Sequence, residues 1–300
     1  MLAFLLGTGV ATVQPAGRLM AFAAVGAQTG TLPVQKATLQ PAAAKAPDIP
    51  FHPGFPIPEL SAEERLLELA NQSRQQAGAP ALTLDSGLSQ AALIHAQAML
   101  DARELSHQFT GEPSLPQRLA DATTLQLDQE GENVALDYDA DHGHEHLMLS
   151  PPHRANLLNP AYNVIGLGVV RSGDRLYIVQ DFGHALPSYS IAEVKDRVSA
   201  AVNAMRRQTR QPGLPRLDLD AADDAACSMV QADRLGTPLV RNLAGRFTVL
   251  TYTSLHPETL PAEATHAISS HNLRSFSVGT CYGRTGTYPS GVYWVVLTLD

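Results

Sequence analysis

The sequence predicts an α+β chain with two folded units, and three observations carry that expectation. Apolar residues recur at helical spacing through 61–104, whereas paired β-rich runs come later, at 164–170 and 176–182, so helices precede a hairpin they can pack against. A length of 300 residues with 44% hydrophobic and 17% charged content is comfortable for two domains. The pattern of residues 71–100 also returns, weakened, at 203–235.

The chain opens with a segment set apart from the fold. Residues 1–17 carry no charge, Leu2-Ala3-Phe4-Leu5-Leu6 has the apolar core of an export signal, and Val25-Gly26-Ala27 offers a small-x-small cleavage site. The basic stretch that usually starts such signals is missing, so residues 1–27 read as a signal peptide or an N-terminal anchor. Residues 28–58 hold Pro33, Pro41, Pro47, Pro50, Pro53, Pro56 and Pro58, which favour an extended linker. After residue 30 no apolar run is long enough to cross a bilayer. A net charge of −8 argues against a nucleic-acid partner, which needs clustered basic residues. These features predict a secreted or envelope-associated, extracytoplasmic protein.

The first unit spans 59–187. Ser61 and Glu64 form a capping-box pattern ahead of Leu66, Leu67, Leu69 and Ala70, and Gly78 and Pro80 end that helix. Leu82-Thr83-Leu84-Asp85 reads as a connector, and a second helix over 89–104 places Ala92, Ala96, Met99 and Leu100 on one face. Leu105-Ser106-His107, Gly131-Glu132-Asn133 and a short helix closing with His153-Arg154-Ala155-Asn156-Leu157-Leu158 follow. The runs 164–170 and 176–182 form a hairpin through Arg171-Ser172-Gly173-Asp174.

With these pieces in order, residues 61–184 resemble the bacterial branch of the CAP superfamily, the SCP-like group of cysteine-rich secretory, antigen 5 and pathogenesis-related-1 proteins. The resemblance rests on Asn71-x-x-Arg74, Leu82/Leu84, Ala91/Ala92, Ser106-His107, Gly131-Glu132-Asn133, Ser150-Pro-x-His153-Arg154-x-Asn156-Leu157-Leu158 and Ile165-Gly166-Leu167-Gly168. It implies an α-β-α sandwich and a cleft where His107, Glu132 and His153 converge, supported by Asn133 and Ser150. Many members carry a second glutamate three residues after a helical tryptophan; here Leu147 and Ser150 stand at those places, which weakens a four-ligand site. Two imidazoles and a carboxylate suit Zn²⁺ or another divalent cation, and the same trio could move protons near neutrality. The resemblance implies a binding protein for a divalent metal and an apolar, lipid or glycan envelope ligand. A metal-assisted hydrolase of envelope peptide or glycan, with Glu132 as base, and an adhesion module with a vestigial cleft are the alternatives.

His142, His144 and His146, crowded with Asp139, Asp141 and Glu145, are a second candidate metal cluster. On a helix His142 and His146 share a face; on an extended segment all three do. Met148 stands where an HExxH motif needs its second histidine. His184 reads as a surface residue at a strand end. No dinucleotide fingerprint, phosphate loop or nucleophile elbow is present, so no nucleotide cofactor is expected.

The second unit, 188–300, reads as a degenerate copy of the first or an unrelated small α+β domain. Asn203 and Arg206 match Asn71 and Arg74, and Leu217 and Leu219 match Leu82 and Leu84. It lacks Ser-His and Gly-Glu-Asn, and His271 is the nearest echo of His153. Cys227 on a helix and Cys281 on a strand form either one disulfide or two buried thiols.

Overall fold

The computed structural model describes residues 57–300 and the backbone of Val10–Thr12. The rest of the export-signal segment and all but the end of the proline-rich linker lie outside the described residues. Two compact units are present, parted at Leu186/Pro187.

In the first unit α1 (Leu60–Ala77) leads through β2 (Thr83–Leu84) to α2 (Ser86–Ala102) and α3 (Leu115–Ala122). Then come β3 (Gln126–Asp137), α4 (Ala140–Leu149), α5 (Pro151–Leu157), β4 (Val164–Ser172) and β5 (Arg175–Leu186). The strand order is β2-β4-β5-β3, antiparallel except that β2 runs parallel to β4. Alternation along β4 divides the core into two layers. Ile165, Leu167 and Val169 face Ala62, Leu66 and Ala70 of α1 and Leu147 of α4, while Val170 joins Ala92, Ala96 and Met99 of α2. Helices thus cover both faces of one sheet.

Glycine sets how closely α2 approaches. A Cβ at Gly166 would lie 2.1 Å from the Leu88 backbone, and one at Gly168 would lie 2.1 Å from Leu93 N, so the helix backbone rests on the strand.

Three local expectations are corrected. Ser61 does not cap α1: the helix starts at Leu60 after Glu59, and Glu63 instead accepts from Val169 N at 3.0 Å. The second helix starts at Ser86 because the Asp85 side chain accepts from Leu88 N, which leaves the Ser89 hydroxyl to accept from Leu167 N. The supposed connector contains β2.

In the second unit α6 (Ile191–Gln208) begins with a capping box between Ser190 and Glu193 and is followed by α7 (Asp220–Ala232) and α8 (Pro238–Ala244). Then come β6 (Thr248–Ser254), α9 (Ala264–Ile268), β7 (Phe276–Gly283) and β8 (Val292–Leu299). These strands pair in the order β6-β8-β7, and β1 (Val10–Thr12) adds to β6 in parallel. Part of the segment expected to stand apart from the fold is therefore a strand of this sheet. Cys227 and Cys281 are joined as a disulfide between α7 and β7, with their Cα atoms 5.1 Å apart.

The two units share a hydrogen-bond pattern. Asn71 bridges both backbone groups of Leu82, and Asn203 bridges both of Leu214. Arg74 is fully buried and donates to the carbonyls of Pro80, Leu157, Asn159 and Tyr162; Arg206, equally buried, donates to Pro212, Ile268 and Ser270.

Candidate functional site

The site gathers at β3, an edge strand of the first sheet. Because side chains alternate, Glu132 and Asn133 leave β3 on opposite faces. Asn133 is fully buried and donates to the His153 carbonyl at 3.1 Å and to Gln180 Oε1 at 3.2 Å. Asn156 donates to the Asn133 side chain and to the Glu132 carbonyl. Those bonds fasten α5, and with it His153, to the strand.

Glu132 faces the other way and both its oxygens are engaged. Oε1 accepts from His107 Nδ1 at 2.8 Å, and Oε2 accepts a short bond from Arg118 Nη2 of α3. Arg118 also lies 3.3 Å from Glu112, which accepts from His95 Nδ1 at 2.6 Å and from Phe109 N at 3.0 Å. His95, fully buried on α2, turns its Nε2 to the Ser106 carbonyl at 2.8 Å, with Glu132 Oε2 at 3.8 Å. Both ring nitrogens of His95 thus lie against oxygen acceptors.

Asp181 completes the cluster. It pairs directly with Glu132 across β3 and β5 and is fully buried. Burial first, and the Glu132 charge second, push its carboxyl well above the usual carboxylate range, so it stays protonated and donates to Glu132. Arg118 lies between two carboxylates, Glu112 and Glu132. Glu112 is held below its ordinary value despite burial, by the bonds from His95 and Phe109 and the charges of His95 and Arg118.

Only the histidines turn outward. His107 is 58% exposed in its side chain, with Nδ1 engaged by Glu132. The bond to Glu132 raises its pKa, while burial and then the nearby His107 charge lower that of His153. The two shifts run in opposite directions, so His107 takes up a proton at higher pH than His153.

The structure brings His107, Glu132 and Asn133 into one network and sets His153 within electrostatic reach of it; Ser150 joins α4 to α5 without a capping side-chain bond. The sequence reading missed His95, Glu112, Arg118 and Asp181, which come from four separate segments. Among the described residues no three His, Cys, Asp or Glu side chains are grouped to hold a metal ion. The donor set explains this for the cleft: Arg118 occupies one oxygen of Glu132 and His107 the other. An open groove of about 700 Å³ lies elsewhere, lined by α1 and residues 78–81, and includes none of these groups.

The run 142–146 does not act as a trio. His142 and His146 are exposed, whereas His144 points inward, bonded to Ser73 Oγ at 2.8 Å, with its pKa lowered by burial. A helix turns residues two apart to different faces. His184 is a correction too: it is partly buried and bonds Asp128 at 2.6 Å. In the second unit β6 and β8 carry no His, Asp or Glu, so nothing there corresponds to Glu132 and Asp181.

Residues 67–182 match the family model of the Cysteine-rich secretory protein family, CAP. The uncharacterized protein YkwD of Bacillus subtilis is 33% identical over 112 residues, 37% of this chain, which in turn spans 43% of that relative's length. An extracellular protein containing a SCP domain from Bacillus anthracis is 27% identical, with TM-score 0.38, covering 42% of this chain and 41% of that one. An outer surface protein from Borrelia burgdorferi is 19% identical, with TM-score 0.41, covering 44% of this chain and 99% of that one. The first unit is a CAP domain of the bacterial, SCP-like branch.

Proposed function

We propose that this chain is an exported binding protein whose CAP domain takes a polar envelope ligand, a glycan or glycopeptide, at His107 and His153. The observation that carries the reading is the state of Glu132: both oxygens are committed to His107 and Arg118, so it orients His107 rather than acting as a free base or metal ligand. The groups left for a ligand are imidazoles, one inclined to donate and one to accept. Export is supported by the Cys227–Cys281 bond, which needs an oxidising compartment, and by the secretory family that residues 67–182 match. The matching Asn and Arg clamps support the second unit as a degenerate copy that extends the protein without a second such site.

One observation favours a second reading, acid–base hydrolysis of the same ligand: the opposed shifts of His107 and His153 suit an acid and a base. Calorimetric titration of the full chain with a soluble muropeptide, with and without EDTA, tests both readings. Saturable binding that survives EDTA, weakens about tenfold in His107→Ala and leaves the ligand uncleaved supports the binding module. Cleavage lost in His153→Ala supports the hydrolase. Binding abolished by EDTA moves the cleft to a metal-dependent role, and no binding overturns the proposal.

A further inference from the structure

The geometry points to a second, independent site: we propose that His142 and His146 on the outer face of α4 chelate one late first-row divalent cation, Cu²⁺ or Ni²⁺ ahead of Zn²⁺. The residues stand one helical turn apart, which puts their Cβ atoms about 6 Å from each other on one face. Both side chains are open to solvent, at 58% and 62% exposure.

Each imidazole has its Nδ1 tied to a carboxylate. His142 Nδ1 bonds both oxygens of Asp139 at 2.9 Å, and His146 Nδ1 bonds Asp137 Oδ2 at 2.6 Å. Asp137 is itself buried and accepts from Tyr138 N, so it is a fixed post at the end of β3. A carboxylate on Nδ1 selects the tautomer with a bare Nε2, raises its basicity and limits ring rotation, as outer partners of metal-bound histidines do. Glu145, on the same turn, adds negative charge beside His142. Two imidazoles with water in the remaining positions suit ions at the top of the divalent affinity series. His144 takes no part, because it faces Ser73 inside the unit.

The test is calorimetric titration of the full chain with NiCl₂ at about pH 7.5, in wild type and in His142→Ala, His146→Ala and His107→Ala, each checked for an unchanged thermal midpoint. The expected result is one equivalent of Ni²⁺ bound in wild type and His107→Ala, with at least tenfold loss in either α4 variant. Binding that persists in His146→Ala, disappears in His107→Ala, or is absent from wild type overturns the proposal. None of these outcomes bears on muropeptide binding, so this site and the cleft stand or fall separately.

Discussion

Replacing Arg74 by alanine should destabilise the CAP domain while leaving the stability of the second unit unchanged. The guanidinium is fully buried and donates four bonds of 2.6–2.9 Å to Pro80, Leu157, Asn159 and Tyr162, joining α1 to the turn after α5. Four bonds from a charged donor at about 1.5 kcal/mol each amount to about 6 kcal/mol, and no longer burying the charge returns roughly half, leaving a loss of about 3 kcal/mol. Burial is the force that lowers the Arg74 pKa, which marks that opposing cost. The assay uses the chain's single tryptophan, Trp294, which lies in the core of the second unit. Urea unfolding followed by circular dichroism reports both units, and tryptophan fluorescence reports only the second. Arg74→Ala should move the circular dichroism transition to lower urea and leave fluorescence unchanged, while Arg206→Ala, with three such bonds, should move the fluorescence transition. A loss below about 1 kcal/mol, or an equal shift in both signals for Arg74→Ala, would refute the reasoning.

Further expectations concern the disulfide, the histidine pair and the buried acid. Cys227→Ser with Cys281→Ser opens a loop of 54 residues and should cost about 4 kcal/mol in the fluorescence transition; an unchanged midpoint contradicts it. His107 should titrate above 6.5 and His153 below it by NMR, and Glu132→Gln should return His107 towards its ordinary value. Because the folded His107 pKa is raised, its bond to Glu132 stabilises fully below about 6.5 and fades as pH rises through the folded value; stability gained over that rise opposes this. Asp181→Asn keeps a neutral donor beside Glu132. The native acid keeps its proton where the unfolded chain loses it, so wild type loses stability with rising pH. The Asp181→Asn variant should therefore have the higher midpoint at about pH 8 and no advantage at about pH 4, and a variant weaker at the higher pH counts against the proton-sharing pair.

The elements were legible where the signal is local. Hydrophobic spacing locates α1, α2 and the hairpin, and the ordered motifs of residues 61–184 carry the resemblance to the CAP superfamily. Two Ser-x-x-Glu patterns show the limit: Ser190 and Glu193 cap α6, while Ser61 and Glu64 do not cap α1, because that helix already begins at Leu60 and Ser61 lies inside its first turn. The site was half legible. His107, Glu132 and His153 sit in recognisable motifs, but Arg118 and Asp181 meet Glu132 only through α3 packing and the β3–β5 register, which no spacing along the chain encodes. Without those partners Glu132 looks like a free ligand; with them it is a neutralised one. For the histidine run the sequence leaves a helical and an extended geometry open, and the helix over Ala140–Leu149 selects the one in which His142 and His146 share a face and His144 turns to Ser73.

The most direct test of the cleft is histidine-resolved NMR of the full chain during addition of a soluble muropeptide in EDTA. The account predicts saturable shifts at His107 and His153 with one shared affinity, while His256, His266 and His271 of the second unit do not move. Shifts confined to the second unit, or no shift at His107 and His153 while the ligand binds, would contradict it.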